Sequence, residues 1–279
     1  MIIWSDNDEN SPYSQKMREA KKVNDSTFWT QMREVFAHDA ATLDLNKFKL
    51  WASTAIIPLW SIHAIKEFFD IVTDVAVEDD KYHAALTEPF VGCTEEDFNK
   101  HFRIAEFNDY SANRVQLLAH LIICGWDIES LSKLDSIVEI GAGIGEMTDI
   151  VHKLGFKGKY SILDFPEVHT LQKHLHDTIG IPNVEYVSDL DNFPVADLGI
   201  ACFSFTEMPL EERAKIVDRM SQTKNWVIIY SKHIFGIDNE TYIKDFVKNF
   251  PNHNVDFFDV PFMNWDGGTK YLSITQKEI

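Results

Sequence analysis

Three glycines at alternate positions, Gly141, Gly143 and Gly145, follow a short apolar segment at residues 136–140. Glycine permits a tight reversal of the backbone and lets the main chain approach a ligand closely. A strand that runs into such a turn and then into a helix commonly binds a nucleotide at the start of the helix. The sequence therefore predicts a cofactor site around residues 138–145.

Two classes of cofactor compete for this turn. A dinucleotide fingerprint places its third glycine three residues after the second, but this chain has Glu146 there, whose carboxylate would meet the pyrophosphate. The order Glu139-x-Gly141-x-Gly143-x-Gly145 instead resembles the first motif of Rossmann-like methyltransferases. Their cofactor, S-adenosylmethionine, carries no phosphate, and its sulfonium and ammonium groups favour acidic surroundings. We therefore expect S-adenosylmethionine here, not NAD.

Two further acids follow later strand-like segments. Asp164 ends the second segment, about twenty residues beyond the last glycine, where a carboxylate can accept hydrogen bonds from two ribose hydroxyls. It can equally serve as a helix N-cap before Pro166. Asp189 follows the third segment, and in the methyltransferase pattern an acid there can reach the adenine amino group. A simple loop residue is the alternative for Asp189.

A narrower resemblance comes from the segments around these acids. Residues 160–168, Tyr-Ser-Ile-Leu-Asp-Phe-Pro-Glu-Val, followed by Leu-Gln-Lys at 171–173, are similar to the DLPEV…LQ run of the sugar O-methyltransferase family. Residues 137–145 resemble its glycine motif, and residues 202–208 its S-x-SEM segment. The match is good over about residues 135–210 and loose near residues 260–271. The N-terminal half resembles the family only in being helical.

The resemblance implies a methyltransferase that transfers the methyl group of S-adenosylmethionine to a hydroxyl of a nucleotide sugar or surface polysaccharide. Phe165 and Ser204 join the predicted cofactor contacts. Phe165, Ala142, Ile144 and Thr206 stand where the family usually has other residues, which leaves the acceptor undecided.

Two side chains are candidates for removing the acceptor proton. Glu207 and His233 follow the fourth and fifth strand-like segments, at the sheet edge where open α/β sheets bind ligands. A histidine has an unperturbed pKa of about 6.5, close to neutral pH, whereas the pKa of a glutamate must be raised by burial. We therefore place His233 first as base and Glu207 second. The alternatives are a salt bridge for Glu207 and a structural or solvated role for His233.

The elements that must position these residues differ between the two halves of the chain. Before residue 131, apolar residues recur at helical spacing, as in residues 28–36, 62–72 and 115–122. After it, short apolar strands alternate with helices, which predicts a parallel sheet covered on both faces. Residues 255–262 and 269–275 predict a terminal antiparallel hairpin around a glycine-rich turn. We expect a helical N-terminal domain, residues 1–131, acting as lid and acceptor pocket, and a Rossmann-like methyltransferase domain, residues 132–279.

Composition limits the classes of partner. The chain of 279 residues has 26 basic and 44 acidic residues, a formal charge of −18, which disfavours nucleic acid and anionic membrane surfaces. Three separated cysteines, no secretory-type N-terminal segment and no apolar run long enough to span a bilayer predict a soluble cytoplasmic protein. No complete set of metal ligands is visible, so we expect no metal site, although metal dependence and oligomeric state stay open, a homo-oligomer included.

Two alternatives to a sugar O-methyltransferase stay open. One is a methyltransferase that acts on a non-sugar metabolite. The other is a scaffold that binds the cofactor without catalysis and acts through protein contacts.

Overall fold

The computed structural model describes residues 27–50, 62–76, 79–101, 110–260 and 268–277, with helices before residue 133 and a sheet after it. The helical part contains α1 (Thr27–Thr42), α2 (Ile62–Ala76), α3 (Asp80–Leu86), α4 (Glu95–His101), α5 (Ala112–Ile123) and α6 (Ile128–Ser132). The sheet part contains β1 (Ser136–Ile140), α7 (Glu146–Lys153), β2 (Lys159–Leu163), α8 (Pro166–Ile179), β3 (Val184–Val187), β4 (Leu198–Cys202), α9 (Ser204–Glu207), α10 (Leu210–Met220), β5 (Asn225–Ser231), β6 (His233–Ile234), β7 (Ile237–Asp238), α11 (Asn239–Phe246), β8 (His253–Asp259) and β9 (Thr269–Gln276).

One seven-stranded sheet has the order β3-β2-β1-β4-β5-β9-β8. Strands β1 to β5 are parallel, and β9 runs antiparallel to both of its neighbours, β5 and β8. The chain steps outward from β1 to β2 and β3, and then returns to the other side of β1 with β4. Such a reversal opens a crevice at the carboxyl ends of the strands, where open α/β sheets bind ligands. The predicted mostly parallel sheet with a terminal antiparallel pair is confirmed.

Several boundaries differ from the sequence-based prediction. The sequence predicts a helix from Pro209 to Met220, but Pro209 is the N-cap of α10, with extended backbone, and the helix begins at Leu210. Strand β8 ends at Asp259, short of residue 262. Most of the predicted glycine-rich turn, residues 264–268, lies outside the described residues. The short β6–β7 pair and α11 had no counterpart in the prediction.

Helices of the N-terminal half pack directly on one face of the sheet. Phe68 of α2 and Leu118 of α5 belong to the same cluster of buried side chains as Val227 of β5 and Tyr271 of β9. The strands can be apolar almost throughout because helices cover both faces. The two segments on either side of residue 131 therefore share a hydrophobic core, and their division into two domains stays a prediction.

Helix α1 packs elsewhere, against α8. Met32 and Phe36 of α1 share a second buried cluster with Leu171 and Leu175 of α8 and with Ile144, which lies between two of the motif glycines. Helix α8 is well delimited, since Pro166 occupies its first turn and Gly180 ends it with φ of 74°. None of the described helices combines the length and apolar character needed to cross a membrane.

Candidate cofactor site

The three motif glycines all adopt left-handed backbone conformations. Their φ angles are 67° at Gly141, 56° at Gly143 and 91° at Gly145. The N–H of Gly141 donates to the carbonyl of Leu163 at 2.8 Å, so the turn begins beside the end of β2. A Cβ atom on Gly141 would lie 2.3 Å from the Cβ of Ser204. Glycine is thus required at 141 both by the backbone angle and by this close approach.

Ser204 connects the end of β4 to the end of β1. Its hydroxyl donates to the carbonyl of Ile140. The preceding residue, Phe203, has φ of 69°, and its N–H donates to the carbonyl of Ile229 on β5 at 2.7 Å. A non-glycine residue held at positive φ stores strain, and such strain is concentrated at functional sites. The ends of β1, β4 and β5 therefore meet at this point.

Asp164 lies at the end of β2 and faces the glycine turn. Its Oδ1 accepts from the N–H of Phe165 at 2.8 Å, and its Oδ2 accepts from the side-chain amide of Gln172 at 2.8 Å. Burial raises the pKa of Asp164 to about 7, against the opposing effect of these hydrogen bonds. The N-cap of α8 is Phe165 and not Asp164. Asp164 therefore does not occupy the N-cap position, and the Phe165 side chain makes no capping hydrogen bond.

Glu139 is buried in β1, on the face covered by the N-terminal helices. Its Oε2 accepts from the hydroxyl of Tyr160 at 2.7 Å. Burial raises the pKa of Glu139 to about 8, and repulsion from Asp164 adds to the rise. The donors recorded for Glu139 and Asp164 are hydroxyl, amide and backbone N–H groups, which are all neutral.

Glu146 begins α7 and turns its carboxylate away from the turn toward the N-terminal helices. It pairs with Lys49 through Oε1 at 2.5 Å and accepts from the side-chain amide of Asn113 through Oε2. Lys49 also pairs with Glu88, and all three charged side chains are buried. Burial would raise the pKa of Glu146, but the charges of Lys49 and Arg114, together with the hydrogen bonds from Lys49 and Asn113, outweigh burial, and the pKa is lowered. The expected repulsion between Glu146 and a pyrophosphate is therefore offset by Lys49.

Phe165 is covered by α1. The guanidinium carbon of Arg33 lies 4.9 Å from the centre of the Phe165 ring, and the Trp29 ring lies 6.3 Å from it, centre to centre. Arg33 also makes two hydrogen bonds, of 3.1 and 3.0 Å, to the carboxylate of Glu167. Helix α1 thus lies over the end of β2, beside the predicted cofactor site.

Glu207 follows β4 in the short helix α9 and also contacts α1. Burial raises the pKa of Glu207 to about 7, while a hydrogen bond from Trp29 and the charge of Arg213 oppose the rise. Arg213 is fully buried and donates to the carbonyls of Met208 at 2.8 Å and of Thr206. It also donates to the side chain of Asn239 at 2.8 Å. Arg213 therefore joins the loops that follow β4 and β5.

Two predicted site residues are not joined to this group. The carboxylate of Asp189 accepts from the N–H of Asp191 at 3.0 Å and from the side chain of Asn192 at 2.7 Å, within its own turn. His233 lies in the β6–β7 pair, with a side chain 62% exposed and Nδ1 3.8 Å from Asp238. In the part of the chain that the structure describes, no group of three or more His, Cys, Asp or Glu could hold a metal ion.

Several residues that shape the site carried no predicted role. Lys49, Arg33 and Trp29 come from segments far from the motif, and periodicity does not show which end of a helix meets the sheet edge. Gln172 and His176 could have been found from the sequence, because both are polar residues on the apolar stripe of an amphipathic helix. Both are buried in the structure. A polar side chain on such a stripe needs a hydrogen-bond partner.

No protein-family model and no curated protein matches the sequence. Solved structures similar to this chain include a SAM dependent methyltransferase from Aquifex aeolicus, with 18% identity, covering 57% of this chain and 88% of that chain at a TM-score of 0.44. A magnesium protoporphyrin IX methyltransferase from Synechocystis PCC 6803 with bound SAH has 12% identity, covering 59% and 84% at 0.42. A mitomycin 7-O-methyltransferase has 14% identity, covering 85% and 74% at 0.45. Likenesses at this level carry no argument about activity.

Proposed function

We propose that the protein is an S-adenosylmethionine-dependent methyltransferase. The observation that carries the proposal is a pair of carboxyl groups, the buried Glu139 and the half-buried Asp164, beside a turn of three left-handed glycines at the reversal point of the sheet. Both carboxyl groups are held by neutral donors, and burial raises the pKa of each because no described residue supplies a compensating charge to the ionised form. A cationic cofactor supplies that charge, whereas the pyrophosphate of NAD adds negative charge to the same place.

Each predicted contact has a role in this proposal. Asp164 keeps an acceptor position for a ribose hydroxyl after accepting from Phe165, Gln172 and the backbone of Ala142, since a carboxylate offers about four acceptor positions. Gly141, Gly143 and Gly145 allow the backbone to approach the ligand, and Ser204 fixes the neighbouring strand end. Glu139 provides negative charge beneath the turn. Three assignments rest on the methyltransferase pattern. Phe165 and Asp189 contact the adenosine part of the cofactor, and the sulfonium lies near the carboxyl ends of β1 and β4.

S-adenosylmethionine, when bound, supplies an electrophilic methyl group. The chain must then bring an acceptor atom in line with that group and exclude water, which contributes much of the rate in such a transfer. We propose a sugar hydroxyl as acceptor, supported by the resemblance of residues 160–173 and 202–208 to the sugar O-methyltransferases. Glu207 becomes the first candidate for the base, since its pKa of about 7 suits proton removal near neutral pH. His233 becomes the second, because its ring is mostly exposed.

Calorimetry with S-adenosylmethionine, its demethylated product and NAD tests the cofactor. We expect the first two to bind and NAD not to bind, and tight NAD binding without response to the methyl donor would contradict the proposal. Gly143→Val should abolish cofactor binding. Gly180→Val is the matched control, because Gly180 also has positive φ, 74°, but a Cβ there would meet nothing within 4 Å.

Turnover of methyl-labelled cofactor tests the reaction. The purified protein is incubated with a panel of nucleotide sugars and with hydroxylated metabolites of other classes, and label transfer is measured. Transfer to a nucleotide sugar supports the sugar assignment, and transfer only to another class contradicts it while keeping the methyltransferase. Cofactor binding without transfer to any acceptor, with the panel extended to cell extracts, would favour a catalytically silent scaffold.

A further inference from the structure

Two residues of α8, one helical turn apart, reach the carbonyl groups of the glycine turn. The side-chain nitrogen of Gln172 lies 2.9 Å from the carbonyl oxygen of Gly143. The Nε2 of His176 lies 2.9 Å from the carbonyl oxygen of Gly145. Residues four apart lie on the same face of a helix, so one face of α8 holds the turn at two points. Both side chains are buried, with exposed fractions of 0% for Gln172 and 1% for His176.

The partners of His176 fix which ring nitrogen carries the proton. A carbonyl oxygen can only accept, so Nε2 must donate to Gly145. The other nitrogen, Nδ1, lies 2.8 Å from the hydroxyl of Tyr186 on β3 and accepts from it in the neutral ring. Burial lowers the pKa of His176, which keeps the ring neutral near pH 7. The imidazole therefore has one defined orientation. Tyr186 of β3 fixes it at Nδ1, and the ring donates from Nε2 to the glycine turn.

The orientation of the Gln172 amide is fixed by the same logic. Its nitrogen faces two acceptors, the carbonyl of Gly143 and the carboxylate of Asp164 at 2.8 Å, so a reversed amide would lose both hydrogen bonds. The other amide atom, Oε1, is buried and has no hydrogen-bond partner among the residues that the structure describes. Gln172 thus couples the turn to the carboxylate proposed to hold the ribose.

The third glycine of the motif is required by this contact as well as by its backbone angle. A Cβ atom on Gly145 would lie 2.7 Å from the Nε2 of His176 and 3.4 Å from the Cγ of Gln172. Any side chain at 145 would push α8 away from the turn. Glycine at this position therefore lets the helix approach closely enough for both side chains to donate.

We propose that Gln172 and His176 are positioning residues for the cofactor, holding the glycine turn and the Asp164 carboxylate in the geometry that the ligand requires before it binds. A turn with three glycines has much conformational freedom to lose on binding, and preorganisation removes that cost from the affinity. The two residues act on the ligand through the turn. The cofactor named here rests on the function proposed above, whereas the immobilisation of the turn does not.

Hydrogen exchange and calorimetry on the full chain test the proposal with four variants. Gln172→Met and His176→Leu remove the donors, His176→Gln keeps a donor at the position of Nε2, and Thr178→Ala changes an exposed residue of the same helix as the matched control. Exchange of the backbone amides of residues 141–147 is measured without ligand. The dissociation constant for S-adenosylhomocysteine is measured in parallel.

We expect Gln172→Met and His176→Leu to speed exchange in the turn and to weaken binding by roughly fivefold to tenfold each, the loss of about one net hydrogen bond. His176→Gln should stay within about twofold of the wild type, and Thr178→Ala should be unchanged. Wild-type exchange and affinity in both donor-less variants would overturn the proposal. So would faster exchange spread evenly along α8, since that would indicate a purely structural role.

The two proposals fail in different ways. If the wild type binds neither S-adenosylmethionine nor its demethylated product, the proposed function is wrong, and exchange in the ligand-free turn still decides the role of Gln172 and His176. If His176→Leu does not fold, Gln172→Met makes the same test at Gly143.

Discussion

Replacing Lys49 by methionine would leave two buried carboxylates without their cation. Lys49 pairs with both Glu88 and Glu146, and the side-chain exposures are 7% for the lysine and 3% for each glutamate. Methionine has a similar length and keeps the packing of the aliphatic chain. The substitution therefore isolates the electrostatic contribution.

The expected cost follows from this burial. Removing one partner of a buried ion pair destabilises a protein by about 3–5 kcal/mol, because the other charge stays buried and uncompensated. Asn113 still donates to Glu146 in the variant, so we expect the lower end, about 3 kcal/mol. For a chain of this size that corresponds to a fall in melting temperature on the order of 6–12 °C.

The dependence on pH has a definite sign. In the wild type the pKa of Glu146 is lowered, so its contribution to stability is present above the unfolded value of about 4.3 and is lost as the pH falls. In Lys49→Met, burial is no longer opposed by Lys49 and raises the pKa of the carboxyl groups, so their ionisation destabilises the fold at neutral pH and protonation relieves it. The effect in the variant makes the difference between the two proteins shrink as the pH falls from 7.5 toward about 4.3, and the loss of the wild-type contribution reduces it further below that value.

Urea denaturation at several pH values measures the difference. The matched control is Lys133→Met, since Lys133 pairs with Glu129 at 2.6 Å but with side chains 67% and 78% exposed. An exposed pair of that kind contributes about 0.5 kcal/mol or less. Adding Glu146→Gln to Lys49→Met should recover part of the lost stability. Equal costs for Lys49→Met and Lys133→Met, or a cost for Lys49→Met that grows as the pH falls, would refute the reasoning.

Three further predictions concern the site. Asp164→Ala should weaken cofactor binding by about 1.5–3 kcal/mol in calorimetry, and unchanged affinity in this variant would assign the ribose contact elsewhere. In the wild type, affinity should rise with pH through about 7 as the Asp164 carboxyl group ionises. Gly141→Ala should lower the melting temperature more than Gly180→Ala, because both have positive φ but only Gly141 faces Ser204 at 2.3 Å; equal effects would contradict a close-packed turn. Glu207→Gln should lower turnover by about 10²–10⁴-fold and remove a pH dependence of turnover near 7. His233→Ala should retain most activity, and a larger loss in His233→Ala than in Glu207→Gln would restore His233 as the base.

The sheet and its glycine turn were predictable because their signals are local. The apolar segments that precede the glycines, Asp164 and Glu207 are buried strands, and such strands have nearly continuous apolar sequences when both faces are covered. The glycines indicated a tight turn after β1, and in the structure all three adopt left-handed backbone. The parallel direction of β1 to β5 followed from the same pattern, since parallel strands need helical crossovers.

The surroundings of Glu146 and His233 were not predictable in the same way. Glu146 has a local context that suggests a carboxylate facing the ligand, yet Lys49 turns it the other way from almost a hundred residues upstream. His233 follows β5 as expected, but the β6–β7 pair, which its sequence did not indicate, leaves the ring exposed. Side-chain direction depends on long-range packing, and a motif read along the chain contains no information about it.

The position of β9 has a consequence for how the molecule is made. This strand, the last one described along the chain, lies inside the sheet and pairs with β5 on one side and β8 on the other. Tyr271 and Leu272 are buried on opposite faces, in the two large clusters of the core. During synthesis from the N-terminus, one edge of β5 stays unpaired until β9, which ends at Gln276, has left the ribosome. The native partner of β8 in the sheet is β9, so β8 cannot join the sheet before then. The nascent chain therefore passes through a stage with exposed strand edges, which is the kind of intermediate that aggregates or recruits chaperones.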